Sequence, residues 1–333
     1  MGAGGEGLRS KGELDVLFGL FGNRYTVDPE VGAALDYLVE RIDPRLTLVG
    51  GCRRTLAKPA QRALEFACAL VAELPAPIPL RAESWSAEPR LRAFFAAARD
   101  IGEILARGAG VRAFFDKAAS DEAFAILGMT RKQQRVLTQA LQGEVIHSDV
   151  ARTSVSFTAH RVSSPCGSAE ALRADLERRA LDFIAEQAAA QLATIDADRK
   201  ALEQERDVLK ARMRLAGRGG HGLESSADDK AFAASLKKCE ARLTELAGGL
   251  GDRVAIVADT LAAPEKQLQL AVHTLRLDQM NFVVEAADAA CAEVTFVEAT
   301  SSEELSRVLV PVQIFRGELA PARDALADAE RYL

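Results

Sequence analysis

Leu181, Ala188, Ile195, Leu202 and Leu209 recur every seven residues, with Ile184, Leu192 and Met213 beside them. Such a row stays on one side of the chain only if the segment is one continuous α-helix. The adjoining seam is polar at Arg199 and Arg206, so this is not a uniform long coiled coil. A second helix is expected after Ser226-x-x-Asp229, with a cleaner heptad: Phe232, Cys239 and Leu246 on one row, Leu236, Leu243 and Leu250 on the other. The glycine-rich stretch from Gly217 to Gly222 joins the two. The pattern predicts an antiparallel helical hairpin of coiled-coil type, with a first arm roughly 65–70 Å long at about 1.5 Å per residue. The return arm is interrupted at Gly248–Gly251 and resumes through Val254, Val257 and Leu261.

The chain before this hairpin predicts helix after helix. Asp28-Pro29 and Asp43-Pro44 each set a capping side chain ahead of a proline at the first helical position. Val31, Ala34, Leu35, Leu38 and Ile42 follow at helical spacing. Pro59 opens a further helix, and a long one begins at Pro89 and carries Leu91, Phe94, Phe95, Ile101 and Leu105. Shorter helices are expected around Phe114 and Phe124. Thr130-x-x-Gln133 has capping-box spacing ahead of Val136, Leu137 and Leu141.

The period changes between Val145 and Val162, where Ile146, Val150, Val155, Phe157 and Ala159 alternate with polar residues. A turn at Ala151-Arg152 makes this a strand pair, with His147 opposite Ser156. Its polar side carries His147, Asp149, Ser154, Ser156, Thr158 and His160, and Arg161 falls on the apolar side. After the hairpin, a helix is expected from Pro264 through Leu268, Ala271, Val272 and Leu275. Three strands follow at Met280–Val284, Val294–Val297 and Val308–Phe315, the last an edge or bulged strand because it contains Pro311. A final helix is expected from Pro321.

The fold class these patterns predict is α+β. Residues 1–12 form a disordered N-terminus and residues 13–143 an all-helical domain. Residues 144–333 form an antiparallel-sheet domain with a helical hairpin inserted at 168–262.

Composition narrows the function. The 42 Lys and Arg against 48 Asp and Glu leave a net charge of -6, without the basic field of a dedicated nucleic-acid binder. Five scattered cysteines with no CxxC pair argue against a disulfide scaffold and against a zinc ribbon. With no uninterrupted apolar span of about 18 residues, the expectation is a cytoplasmic protein without membrane contact. The glycines at 2, 4 and 7 and at 217, 219 and 222 formally match GxGxxG. Neither set sits between a strand and a helix, as a dinucleotide-binding turn requires. Ser235-x-x-Lys238 lies mid-heptad without its companion motifs. Trp85, the single tryptophan, is expected to anchor its loop to the helical core.

Three sets of residues carry functional expectations. The hairpin row Ile195, Leu202, Leu209 and Met213 offers more apolar surface than a short return helix covers, which predicts binding of another protein or self-association. Arg212, Arg214 and Arg218 near the hairpin tip are the alternative, a phosphate-contacting nucleic-acid surface, though no aromatic residues accompany them for base stacking. His147, Asp149 and His160 form the one constellation suited to catalysis, a second alternative weighed against a plain solvated sheet face. No cofactor and no metal site is expected, and the leading expectation is a non-enzymatic interaction or scaffold protein.

Overall fold

The computed structural model describes residues 28–320 apart from 109, 143–144, 217–224, 247–248, 285–290 and 303–304. The disordered N-terminus expected at 1–12 and the final helix expected at Pro321 lie outside the described residues. The architecture is α+β, with an antiparallel sheet and the long helix in its expected place.

The chain opens with α1 (Pro29–Ile42), where Asp28 Oδ1 accepts from the Glu30 amide at 3.0 Å and Pro29 sits at the first position. Asp43-Pro44 starts only a 3-10 turn, Pro44–Leu48. Helix α2 (Cys52–Ala72) begins after Gly51, whose φ of 82° is the left-handed turn that launches it. Pro59 therefore lies inside α2 rather than opening a helix. The segment from Pro89 is broken at Phe95 into α3 (Pro89–Phe94) and α4 (Ala98–Arg107), and α5 (Val111–Lys117) follows. Trp85 anchors its loop as expected, donating from Nε1 to the Phe95 carbonyl at 2.9 Å.

The expected helices at Phe124 and Thr130–Leu141 are instead one strand, β2 (Glu122–Gln142), paired along nearly its whole length with β3 (Val145–Cys166). The turn expected at Ala151-Arg152 does not exist. Ala151 pairs with Leu137 and Arg152 with Val136 in mid-ladder, and His147 pairs with Ala140 rather than with Ser156. The helix expected after Pro264 is also strand, β4 (Leu268–Leu277). It is followed by β5 (Ala292–Ser301) and β6 (Ser306–Phe315). The strand expected at Met280–Val284 reduces to two bridges, Ser154 with Phe282 and Leu277 with Val283.

The sheet order is β3-β2-β6-β5-β4, with β1 (Ile78–Pro79) joining β6 in parallel. β6 is thus central. Pro311 is accommodated because the ladder with β5 ends at Leu309 and that with β1 begins at Val312, leaving it in the gap between them. The outer strands β3 and β4 meet through Phe282 and Val283, so the sheet curls around its concave face. Phe157 of β3 and Phe296 of β5, which are not sheet neighbours, meet edge to face at 5.3 Å. Phe94 of α3 packs on Phe157 in the same way at 4.9 Å. This concave core, closed by α3, α4 and α5, includes Leu127, Met129, Val308, Val310 and Ile314, all fully buried or nearly so.

A second core lies outside the sheet. Helix α6 (Ala169–Ala216) leaves β3, returns as α7 (Ser225–Leu246), and the chain continues in α8 (Leu250–Ala262). The first half of α6 packs with α1, α2 and α8 through Leu38, Leu56, Ile184, Ala188, Val257 and Leu261. Asp182 ties α6 to α1 by accepting from the Tyr37 hydroxyl and from Arg41 Nε at 2.9 Å. Four helices thus form a bundle, and each of the two cores draws on residues from both sides of position 143.

Candidate functional site

The catalytic constellation expected on β3 is not assembled. His147 and His160 lie thirteen positions apart on one strand. At about 3.3 Å per residue that separation is on the order of 40 Å. His147 and Asp149 enter only through their backbone register, because their side chains lie outside the described residues.

His160 has also changed faces. Ala159 adopts φ 52°, and the ladder slips there, with Gly128 opposite Arg161 but Thr130 opposite Thr158. This bulge adds one residue to β3 and inverts the alternation beyond it. His160 therefore joins Phe157 on the concave side, stacked on Phe95 at 5.2 Å, with Nε2–H donating to the Phe94 carbonyl at 2.7 Å. Burial pushes its imidazole below the ordinary range, against the opposing pull of that hydrogen bond and of Asp100. Asp100, Glu103 and Arg107 of α4 line the same shallow hollow. A ring so placed is a neutral fastener between β3 and α3. Arg161, expected on the apolar side, is exposed.

One polar cluster that no sequence spacing announces occupies the next layer of the concave face. Glu298 of β5 is 8 % exposed. Its Oε2 accepts from Arg131 of β2 at 2.8 Å and lies 3.2 Å from His273 Nε2 of β4, while Oε1 accepts from the Ser306 hydroxyl of β6. His273 also stacks on Phe296 at 5.6 Å. Four strands thus contribute one residue each. Ser306 lies on the carboxylate rather than on the imidazole, so the nucleophile–base contact of a hydrolase is missing. With both carboxylate oxygens occupied, the cluster joins strands. Among the described residues no group of three or more His, Cys, Asp or Glu is placed to hold a metal ion.

The hairpin residues divide between two environments. Ile195, Leu202 and Met213 are half-buried and Leu209 is 8 % exposed. Cys239 of α7, 2 % exposed, donates its thiol to the Leu202 carbonyl at 3.2 Å. Lys210 pairs with Glu240 across the arms at 3.0 Å. The expected partner-binding row is therefore largely the seam of the hairpin itself. Among the described residues of α7 and of α6 beyond Leu192, only Leu209 and Cys239 are buried. Val208 and Leu215, which sequence reasoning passed over, are the apolar residues turned outward, at 51 % and 69 % exposure. Their own seven-residue spacing, outside the main row, was the available signal. Arg212 and Arg214 are exposed on the same arm, and Arg218 lies outside the described residues.

No protein-family model, curated protein or solved structure matches the chain. Among the described residues no helix is long and apolar enough to cross a membrane.

Proposed function

We propose that this chain is a non-enzymatic interaction or scaffold protein whose helical arm, the distal half of α6 with α7, binds another protein, a second copy of the chain being the partner its geometry favours. The supporting observation is the outward pair Val208 and Leu215. Two exposed apolar residues one heptad apart form a short stripe on an arm that reaches away from both cores. The same stripe on a second copy is self-complementary, as a two-fold contact requires.

The test is solution mass by light scattering across a concentration series. The intact chain is expected to exceed monomer mass. Val208→Glu with Leu215→Glu, and replacement of residues 198–248 by a short Gly-Ser linker, should both give folded monomers by circular dichroism. The deletion keeps Asp196 and Arg253, so the bundle is preserved. A monomeric intact chain, or assembly that survives both changes, overturns the proposal.

A nucleic-acid reading draws support from Arg212 and Arg214, exposed and without an ion pair among the described residues. It predicts retention on DNA or RNA that falls steeply with salt and is lost in Arg212→Glu with Arg214→Glu. Retention with no salt slope removes this reading.

A further inference from the structure

The convex face of the sheet is incompletely covered. Between it and the helices lies an open cavity of about 300 Å³, walled by Leu74 at the end of α2, Leu176 and Phe183 of α6, Ile126 of β2, Leu270 of β4 and Leu309 of β6. Its lining is apolar except at Ser163 and Arg179. Those two residues also line a neighbouring polar hollow with Arg161, Ser164, Pro165, Cys166 and Asp175. An apolar slot therefore runs into a polar end, and its volume falls at the lower limit for small-molecule sites.

The polar end is electropositive. Asp175 is held by two guanidinium groups at once, Arg179 Nε at 2.6 Å and Arg178 within the same turn of α6. Burial raises the Asp175 carboxyl, but these hydrogen bonds outweigh it and hold the group below its ordinary range, so it stays charged and already partnered. Arg161 shows no ion pair among the described residues and adds an uncompensated positive charge at the rim. Two arginines thus hold Asp175, and a third, Arg161, lines the same hollow.

We propose that this cleft binds a single-chain anionic amphiphile of the fatty-acid class, with the hydrocarbon in the slot between α2, α6 and the sheet and the carboxylate at Arg161 and Arg179. The methylene chain meets Leu74, Leu176, Phe183 and Leu309, and the head stays at the solvent edge, where guanidinium groups bind carboxylates without full desolvation. A short-chain acid leaves the slot empty, and a neutral alcohol leaves the arginines unused.

The experiment uses the intact chain with a fluorescent fatty acid, displaced by octanoate, decanoate, decanol and butyrate. Saturable binding is expected, tightening about fourfold per added methylene until the slot is full. Decanol should bind at least tenfold more weakly than decanoate, and butyrate should not compete. Ala299 lines the slot, so Ala299→Leu should fill it and abolish binding while preserving or raising the melting temperature. Arg161→Gln should weaken decanoate but leave decanol unchanged. Absence of saturable binding, equal affinity for decanol and decanoate, or indifference to Ala299→Leu overturns the proposal. Binding that appears only after removal of residues 1–24 also overturns it, since the uncharged, mostly apolar run Val16–Phe21 would then be the native occupant.

Discussion

Arg253 of α8 closes a fork on Asp196 of α6, NH1 to Oδ1 at 2.7 Å and NH2 to Oδ2 at 3.1 Å. The same NH2 reaches Asp43 Oδ2 at 3.3 Å, at the end of α1. One side chain thus fastens the root of the arm to the bundle, and below this point α6 is packed on several helices. Arg253 is largely buried and its Nε has no hydrogen-bond partner, so the fork is the group's main compensation. Arg253→Leu is expected to lower stability by about 1.5–3 kcal/mol, the range for hydrogen bonds to charged groups. Urea unfolding should report it, with Arg253→Lys recovering only part.

The Glu298 cluster gives a sharper case. Glu298→Ala strands Arg131, whose side chain is only 22 % exposed, beside an apolar core. Breaking a buried pair on one side costs about 3–5 kcal/mol, whereas replacing both partners with apolar groups is often neutral. Glu298→Leu combined with Arg131→Met should therefore recover most of the loss. A double variant no better than Glu298→Ala would show that packing, not charge, dominates this layer.

Stability should depend on pH through His160. Its folded value lies below the unfolded one, so the unfolded chain takes up a proton first as pH falls. The His160 contribution is whole above about pH 6.5 and is lost as pH drops from there toward the depressed folded value. Below that value the loss is constant. Melting temperature measured from pH 7.5 to 5 should fall less in His160→Gln than in the parent. Identical slopes would remove His160 as the cause. The depressed carboxyls of Glu88, Asp175 and Asp278 act in a separate window, below about pH 4.

Ala159 pays for the bulge that turns His160 inward. A non-glycine residue at positive φ is strained by on the order of 1 kcal/mol, and Gly removes that strain at some entropic cost. Ala159→Gly is expected to stabilise by about 0.5 kcal/mol, and Ala159→Val to destabilise by more than that. The midpoint of chemical denaturation distinguishes the two.

The errors in the expected elements have two opposite causes. Leu268 and Leu275 fit a helical spacing because β4 meets apolar surroundings on both sides: Leu268 and Leu270 line the convex cleft while Leu275 and Leu277 pack against the concave core, and Ala271 and Val272, which complete the spacing, are exposed. Two-sided strands lose their period of two. Over Arg131–Gln142 the opposite holds. β6 accompanies β2 only as far as Met129, so the ribbon beyond has little core to impose alternation, and Thr130-x-x-Gln133 matched a capping box by chance. Extending helix through that stretch hid one half of the β-ribbon and forced a false turn at Ala151. Nothing local marks Ala159 as a bulge, and inverted parity beyond it is a long-range consequence of pairing with Gly128 and Thr130.

The spacing of Leu181–Leu209 and of Phe232–Leu246 by itself determined two amphipathic helices, because helix periodicity is a local property of a chain. The alternation of Val155 and Phe157 likewise set which face of β3 turns inward. Tertiary structure alone decided that Leu202 and Leu209 serve the hairpin while Val208 and Leu215 face water, and that Glu298 gathers Arg131, His273 and Ser306. Those outcomes depend on which distant strands and helices become neighbours, and spacing along a single chain carries no record of that.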